Sequence, residues 1–167
     1  MMLYILRHGA AENDPPPGGD DGARRLTARG REKVREAAAG MRALRVRFDA
    51  ILASPLPRAF ETAELVAAEF TGGPAPEIAA ALSTGMTAAD ALAALKPYEQ
   101  YEHLMIVGHQ PGLGATASLL LSGSASAVTI ALKKSGIIAL ELRDGIERGS
   151  AQLCWMLTSR QLRRMRR

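Results

Sequence analysis

Near its N-terminus the chain reads Leu3-Tyr4-Ile5-Leu6-Arg7-His8-Gly9, a short apolar run that ends in a cation, an imidazole and a glycine. Continuous apolar runs of this length are typical of strands that are buried on both faces of an α/β sheet. Similar runs occupy residues 48–53 and 104–107, and polar residues follow each of them. We therefore expect three buried strands whose carboxyl ends carry polar side chains.

Helical patterns separate these strands. Thr27 is a suitable N-cap for a first helix, and Ser54-Pro55 should open a second, because proline is favoured in the first helical turn. The apolar stripe of the first helix is expected to comprise Val34, Ala37, Ala38, Met41 and Leu44. The apolar face of the second helix is expected to comprise Ala59, Ala63, Val66 and Phe70. Further helices are predicted at residues 88–95 and from the turn at 108–112 to Leu121.

The last third of the chain lacks this alternation. Two strands are predicted at residues 136–142 and 152–158, joined by a turn around Asp144-Gly145, and a weak strand is predicted at residues 77–80. Because no helix separates the two late strands, the sheet should be mixed rather than wholly parallel. The sequence thus predicts an α/β fold, a three-layer α/β/α sandwich with a mostly parallel central sheet.

Length and composition restrict the class of protein. A chain of 167 residues suits a single domain spanning 1–167, and contents of 47% hydrophobic and 23% charged residues are those of a soluble globular protein. No segment approaches the ~20 apolar residues of a membrane span, and the N-terminal apolar run is too short for a signal peptide. The single cysteine, Cys154, stands among apolar neighbours and is predicted to be a buried thiol, which indicates a reducing, cytoplasmic compartment.

The positive charge is concentrated at the C-terminus. Five arginines lie in the last eight residues, and without them the net charge changes from +4 to −1. Such a tail could bind nucleic acid or anionic lipid, or it could be a solvated, partly frayed terminal helix. The second interpretation is favoured because no aromatic residues alternate with the arginines. We therefore expect neither a nucleic acid nor a membrane as partner.

Four polar side chains follow the predicted strands. Arg7 and His8 follow the first strand, Arg58 lies near the start of the helix after the second, and His109 follows the strand at 104–107. In open α/β sheets, ligands bind beyond the carboxyl ends of the strands, so these side chains should converge. His103, at the opposite end of the strand at 104–107, should lie far from them.

Together these side chains suit the transfer of a phosphoryl group. Two guanidinium groups can bind nonbridging oxygens with paired hydrogen bonds, and the helix start near Arg58 adds free backbone N–H groups. A neutral imidazole can attack phosphorus to give a phosphohistidine, and a second imidazole can donate a hydrogen bond to the oxygens. No metal is expected, because the arginines supply the positive charge and the histidines lack the spacing of a metal site. Ser54 could cap its helix or touch the phosphate, and capping is the favoured interpretation.

Three motifs in a fixed order strengthen this interpretation: Arg7-His8-Gly9, then Ala53-Ser54-Pro55 with Arg58, then Gly108-His109. In this order and spacing the chain resembles the histidine phosphatase superfamily, whose fold is called phosphoglycerate mutase-like. The resemblance covers nearly the whole chain. The short length and the closing run Trp155-Met156-Leu157-Thr158 resemble the SixA-type phosphohistidine phosphatases most closely.

The resemblance implies a role for each motif residue. His8 would be the nucleophile, and His109 the second catalytic histidine. Arg7 and Arg58 would bind the phosphate together with His109 and Gly9, and the glycines would let the backbone approach the ligand or turn tightly. The implied reaction is hydrolysis through a covalent phosphohistidine at His8, without metal or other cofactor.

The sequence departs from the family pattern in two places. Many relatives have an asparagine six positions after the nucleophile, where this chain has Asp14, and Asn13 is one position short. Mutase-type and many esterase-type relatives carry a glutamate proton donor in the stretch that corresponds to residues 82–87, which here contains no carboxylate. Glu77 and Asp90 are the nearest acids and match poorly. Three acids of the first long loop could serve instead: Glu12, Asp20 and Asp21.

The missing donor bears on the substrate. An alkoxide leaving group depends strongly on a general acid, whereas imidazole has a conjugate acid with a pKa near ~6.5 and departs with less help. The favoured substrate is therefore phosphohistidine on a protein, such as a histidine phosphotransfer domain. The 50 residues between Arg58 and His109 offer no long insertion for a lid, which also suits a protein substrate. The alternatives are a general small-molecule phosphomonoesterase and a noncatalytic phosphoprotein-binding module.

Overall fold

The computed structural model describes residues 1–166, which form six strands and five helices of more than three residues. The strands are β1 (Met2–Arg7), β2 (Ala50–Ala53), β3 (Pro76–Ile78), β4 (His103–Gly108), β5 (Ile137–Leu142) and β6 (Ala151–Leu157). The helices are α1 (Ala28–Ala43), α2 (Pro57–Ala67), α3 (Ala88–Leu95), α4 (Gly112–Ser122) and α5 (Ser159–Met165).

All six strands belong to one mixed sheet, in the order β3-β2-β4-β1-β5-β6. The first four strands in that order pair in parallel, and β5 pairs antiparallel with both β1 and β6. The mixed, mostly parallel sheet predicted from the sequence is therefore confirmed. Because β1 and β4 are central, neighbouring and parallel, the residues that follow them meet at the same edge.

Two apolar clusters cover the two faces of the sheet. In β1, Leu3 and Ile5 point into one cluster with α3 and α4, while Tyr4 and Leu6 point into the other with α1, α2 and α5. This alternation on a strand buried on both sides explains why its sequence is a continuous apolar run. It also confirms the three-layer α/β/α arrangement.

Most helical patterns are found where they were predicted, with local corrections. Thr27 caps α1 by accepting a hydrogen bond from the N–H of Gly30. Leu44, however, lies beyond the end of α1 with 41% of its surface exposed, so it does not continue the apolar stripe. The second helix begins at Pro57, not at Pro55, and ends before Phe70.

The C-terminus forms a helix, as predicted, and Arg160 and Arg164 are exposed on it, but this helix also packs against the body of the protein. Helix α5 packs against α1, and its Leu162 is fully buried. Glu36 of α1 accepts ion pairs from both Arg163 and Arg166. The close approach requires a glycine in α1, since a Cβ built on Gly40 would lie 2.1 Å from the carbonyl oxygen of Leu162.

The prediction of a buried thiol is also wrong. Cys154 is exposed, because β6 is the edge strand and turns much of its apolar sequence to solvent, including Leu153 at 48% exposure. Apolar neighbours in sequence do not bury a side chain on an uncovered face of an edge strand.

Within residues 1–166, no helix combines the length and apolar character needed to cross a bilayer.

The glycine at the α1–α5 contact can be tested by substitution. Gly40→Ala should lower the free energy of unfolding by about 1–3 kcal/mol, because the added methyl group forces the two helices apart. Gly112→Ala is a matched control, since a Cβ on this helical glycine would meet nothing closer than 3.9 Å. Urea denaturation of both variants measures the difference, and equal stability of the two would contradict the close approach.

Candidate active site

The parallel register of β1 and β4 brings the motifs Arg7-His8-Gly9 and Gly108-His109 together. Arg7 pairs with Gly108 in the register, and the N–H of His8 donates a hydrogen bond of 3.1 Å to the carbonyl oxygen of Gly108. The imidazole rings of His8 and His109 consequently lie with their centroids 4.9 Å apart. Their convergence follows from the backbone pairing of two adjacent strands.

A pocket of about 360 Å³ lies in front of these rings. It is lined by Arg7, His8, Ala11, Asp21, Arg24, Arg58, Thr84, His109, Gln110 and Lys134. The four side chains singled out in the sequence all line it. The opposite end of the sheet holds His103, which begins β4 and contacts Asp49, as expected for a residue remote from the pocket.

The tautomer of His8 is fixed by a backbone oxygen. Nδ1 lies 2.7 Å from the carbonyl oxygen of Gly9, which can only accept a hydrogen bond, so Nδ1 carries the hydrogen. Burial lowers the pKa of His8 to about 4, and the positive charges of Arg58 and Arg7 act in the same direction. At neutral pH the ring is therefore uncharged, with its lone pair on Nε2.

His109 is held by the hydroxyl group of Ser54. Nε2 of His109 lies 2.8 Å from Oγ of Ser54, which also accepts a hydrogen bond from the N–H of Leu56. Burial, together with the neighbouring His8 and Arg58, lowers the pKa of His109 to about 3. The prediction that Ser54 caps α2 is wrong, because Leu56 occupies the N-cap position and Ser54 contacts the histidine instead.

Both arginines that line the pocket are held by backbone oxygens. Arg7 donates from Nη1 to Leu132, and Arg58 donates from Nη1 to Asp21. Arg58 is 97% buried, and its Nη2 lies 3.6 Å from the Asp21 carboxylate. These contacts fix each guanidinium group while leaving other N–H groups available.

Five buried side-chain nitrogen or oxygen atoms within residues 1–166 have no hydrogen-bond partner in the protein. Three of them belong to this pocket: Nε of Arg7, Nε of Arg58 and Nδ1 of His109. Buried polar atoms of native proteins are nearly always paired. Two partnerless guanidinium nitrogens and one partnerless imidazole nitrogen, all on residues that line one pocket, favour a site that binds an anion.

Gly9, to which the resemblance gives a phosphate-binding role, lies next to His8, and its backbone N–H has a partner within the protein. Its N–H donates to Oγ1 of Thr62 at 3.0 Å, and the residue does not line the pocket. A side chain is excluded here by packing, because a Cβ on Gly9 would lie 2.7 Å from Cγ2 of Val34. Thr62 is fixed in turn by donating to the carbonyl oxygen of Arg58, which ties α2 to the loop after β1.

Asp21 is the one carboxylate that lines the pocket among the described residues. The Arg24 side chain donates a hydrogen bond to it and thereby lowers the pKa of the Asp21 carboxyl group. Glu12, Asn13 and Asp14 line a different cavity. Thr84 is the residue of the stretch 82–87 that reaches the pocket.

Sequence reasoning missed Lys134, which also lines the pocket. The sequence feature that could have indicated it is the pair Lys133-Lys134, which stands just before the strand predicted at residues 136–142. Because β5 is antiparallel to β1, the start of β5 lies at the same edge of the sheet as the end of β1.

No group of three or more potential metal ligands was found within residues 1–166.

A family model for the histidine phosphatase superfamily (branch 1) matches residues 3–84. The chain belongs to the histidine phosphatase superfamily. It is 38% identical over 150 residues to an uncharacterized protein of Picosynechococcus, with 89% of this chain and 88% of that protein covered. The name of this relative states no activity.

Two solved structures illustrate the shared fold. The protein histidine phosphatase SixA complexed with tungstate superposes with a TM-score of 0.84 at 24% identity, covering 97% of this chain and 99% of SixA. Phosphoserine phosphatase of Entamoeba histolytica, in complex with phosphoserine, superposes with a TM-score of 0.69 at 19% identity, covering 96% and 98% of the two chains. At these identities the likeness shows the fold, while the two neighbours act on different phosphorylated groups.

The protonation of the two imidazoles is measurable by NMR. In the ligand-free protein, His8 should titrate at about 4 and His109 at about 3, so both rings stay neutral at pH 7. Arg58→Met should raise both pKa values, because it removes a positive charge that disfavours each imidazolium. Arg58→Lys keeps the charge and serves as control. Titration of either wild-type ring near its ordinary value of ~6.5 would contradict the described burial.

Proposed function

We propose that this member of a family of phosphatases hydrolyses phosphoryl groups through a covalent intermediate on His8. The proposal rests on the buried, partnerless nitrogens of Arg7, Arg58 and His109, three residues that line one pocket beside the neutral imidazole of His8. The donors suit the oxygens of a phosphoryl group. The free lone pair on Nε2 of His8 suits an attack on phosphorus.

In the proposed first step, Nε2 of His8 forms a bond to phosphorus as the bond to the leaving group breaks. Arg7 and Arg58 bind the nonbridging oxygens and offset their charge. His109 donates a hydrogen bond from Nδ1 when Ser54 donates its hydroxyl hydrogen to Nε2, so Ser54 acts as a positioning residue. The hydrogen bond from Nδ1 of His8 to Gly9 stabilises the positive charge that develops on the phosphorylated ring.

In the proposed second step, water attacks the phosphohistidine, and the bond between Nε2 and phosphorus breaks. The water must lose a proton, and inorganic phosphate leaves. Asp21 is suited to accept the proton, because its carboxyl group lines the pocket and its lowered pKa keeps it ionised. The Asp21 carboxylate also contacts Arg58, so it competes with bound phosphate for that guanidinium group.

Phosphohistidine on a protein is the substrate that the site favours. Thr84, not a carboxylate, reaches the pocket from the stretch 82–87, so a leaving group that requires a strong proton donor is poorly served. Imidazole leaves more readily than an alkoxide. The likeness in fold to SixA agrees with this choice, and a cytoplasmic site of action belongs to the same proposal.

The likeness in fold to phosphoserine phosphatase keeps a small-molecule phosphomonoesterase as the second candidate. A noncatalytic phosphoprotein-binding module is less favoured. Binding alone would not require Nδ1 of His8 to be held by Gly9 with Nε2 left as a lone pair.

A comparison of leaving groups tests the substrate class. The kcat/KM for a phosphohistidine peptide should exceed that for an alkyl phosphate by about 100-fold or more, the range that general acid catalysis supplies where it is present. His8→Asn should abolish both activities, and acid-quenched wild-type enzyme should carry phosphate on His8. Faster turnover of the alkyl ester would reject the phosphohistidine assignment, and phosphate-free His8 during turnover would reject the covalent route.

Asp21→Asn tests the second step. The variant should accumulate phosphorylated His8 and lose about 100-fold in kcat, because the attacking water lacks its proton acceptor. Its apparent KM should fall, since Arg58 loses a competing anion. Asp20→Asn is the matched control, because the Asp20 carboxylate accepts from Ala23 and does not line the pocket. Wild-type kcat in the Asp21 variant would exclude this role.

A further inference from the structure

A second pocket, of about 410 Å³, lies beside the active site, and we call it the basic pocket. It is lined by Ala10, Lys33, Lys133, Lys134, Ser135, Thr158, Ser159, Arg160 and Arg163. Five of these nine residues are cations, and none is acidic. Lys134 lines both the basic pocket and the active-site pocket, so the two are adjacent.

Four of the cations have no ion-pair partner within residues 1–166: Lys33, Lys133, Lys134 and Arg160. Arg163 is the exception, because it pairs with Glu36. Like charges gathered in one concave surface repel one another and create a positive potential that an anion relieves. The chain outside its last eight residues carries a net charge near zero, so this local excess is not a property of the whole surface.

The remaining partnerless buried atoms also belong to this pocket. Besides the three donors of the active site, Oγ of Ser159 and Nε of Arg163 lack a hydrogen-bond partner among the described residues. All five such atoms therefore belong to residues that line one of the two adjacent pockets. Donors of this kind suit the oxygens of a carboxylate.

The lysine pair is held in a fixed position relative to the catalytic histidine. The N–H of Ser135 donates to the carbonyl oxygens of Arg7 and His8, at 3.1 and 3.2 Å. Gly136 accepts from the N–H of Arg7 and donates to the carbonyl oxygen of Lys133. These bonds join the segment directly to the end of β1, so an anion bound at the basic pocket has a defined distance from the phosphoryl group.

We infer that the basic pocket binds acidic side chains that flank the phosphohistidine of a protein substrate, an inference that rests on the proposed function. The cations come from α1, from the segment before β5 and from α5, which spreads them over more surface than a single small anion needs. An acidic segment supplies several carboxylates at once and stays next to the phosphoryl group that the active site holds. Charge complementarity of this kind sets partner choice and the rate of association.

The experiment compares two phosphohistidine peptides of equal length, one flanked by Asp and Glu and the other by Ser and Gln. The test variant is Lys33→Ala combined with Arg160→Ala, neither of which lines the active-site pocket. The control variant is Arg47→Ala combined with Arg148→Ala, two exposed arginines near the opposite edge of the sheet. Both variants lose two positive charges, so bulk electrostatics is matched.

Wild-type enzyme should prefer the acidic peptide. The test variant should lose about tenfold in kcat/KM for that peptide at low salt, as expected for two partly exposed charge contacts, and the loss should shrink as salt is added. The neutral peptide should be hydrolysed by the test variant at the wild-type rate, and the control variant should match wild type on both.

Three results would overturn the inference while leaving the proposed function standing. The first is an equal loss of kcat/KM on both peptides in the test variant, and the second is no loss of kcat/KM on the acidic peptide. The third is a loss of kcat/KM in the control variant equal to that in the test variant. Salt-sensitive binding of duplex DNA or anionic vesicles that disappears in the test variant, without any change in peptide preference, would assign the pocket to another partner class. Failure of wild-type enzyme to hydrolyse either peptide would instead reject phosphohistidine as the substrate in the proposed function.

Discussion

The parallel pairing of β1 with β4 is the constraint on which the candidate site depends. It sets Arg7 opposite Gly108 and joins His8 to Gly108 by a backbone hydrogen bond, and the two imidazole rings lie 4.9 Å apart. The antiparallel neighbour β5 adds Ser135 and Lys134 to the same edge. A change in register by one residue would exchange the side chains that face the two apolar clusters and would no longer set Arg7 opposite Gly108.

Burial has a chemical consequence at this edge. Burial disfavours a positive charge on either imidazole, and the two neighbouring guanidinium groups act in the same direction. The result is a pair of neutral rings in a positively charged pocket. A neutral nucleophile beside fixed cations is suited to an anionic substrate. The arginines attract the phosphoryl oxygens, while the unprotonated imidazole keeps the lone pair that attacks phosphorus.

Much of this arrangement could be predicted from the sequence, because buried strands and the residues that end them are local patterns. The runs before Arg7-His8 and Gly108-His109 indicated the strands, and parallel α/β topology implied their convergence. Contacts that depend on tertiary packing could not be predicted in the same way. The hydrogen bond between Ser54 and His109, the exposure of Cys154 on an edge strand and the docking of α5 on Gly40 each require knowledge of which element is the neighbour.

The loop that follows β1 shows the same limit. Asp21 is one of several acids in a stretch rich in glycine and proline, and no pattern distinguishes it from Asp20 or Glu12. It reaches the pocket because the ends of the loop are joined by backbone bonds between Glu12 and Arg25 and between Thr27 and Ala10. Long-range bonds of this type leave no periodic signal in the sequence.

The most direct measurement of the central claim is a crystal structure with orthovanadate, which adopts the geometry of a phosphoryl group in transfer. We expect vanadium to be bonded to Nε2 of His8, with its oxygens within about 2.7–3.2 Å of Arg7, Arg58 and Nδ1 of His109. Vanadate bound elsewhere, or bound here with either guanidinium group or His109 out of reach, would contradict the account.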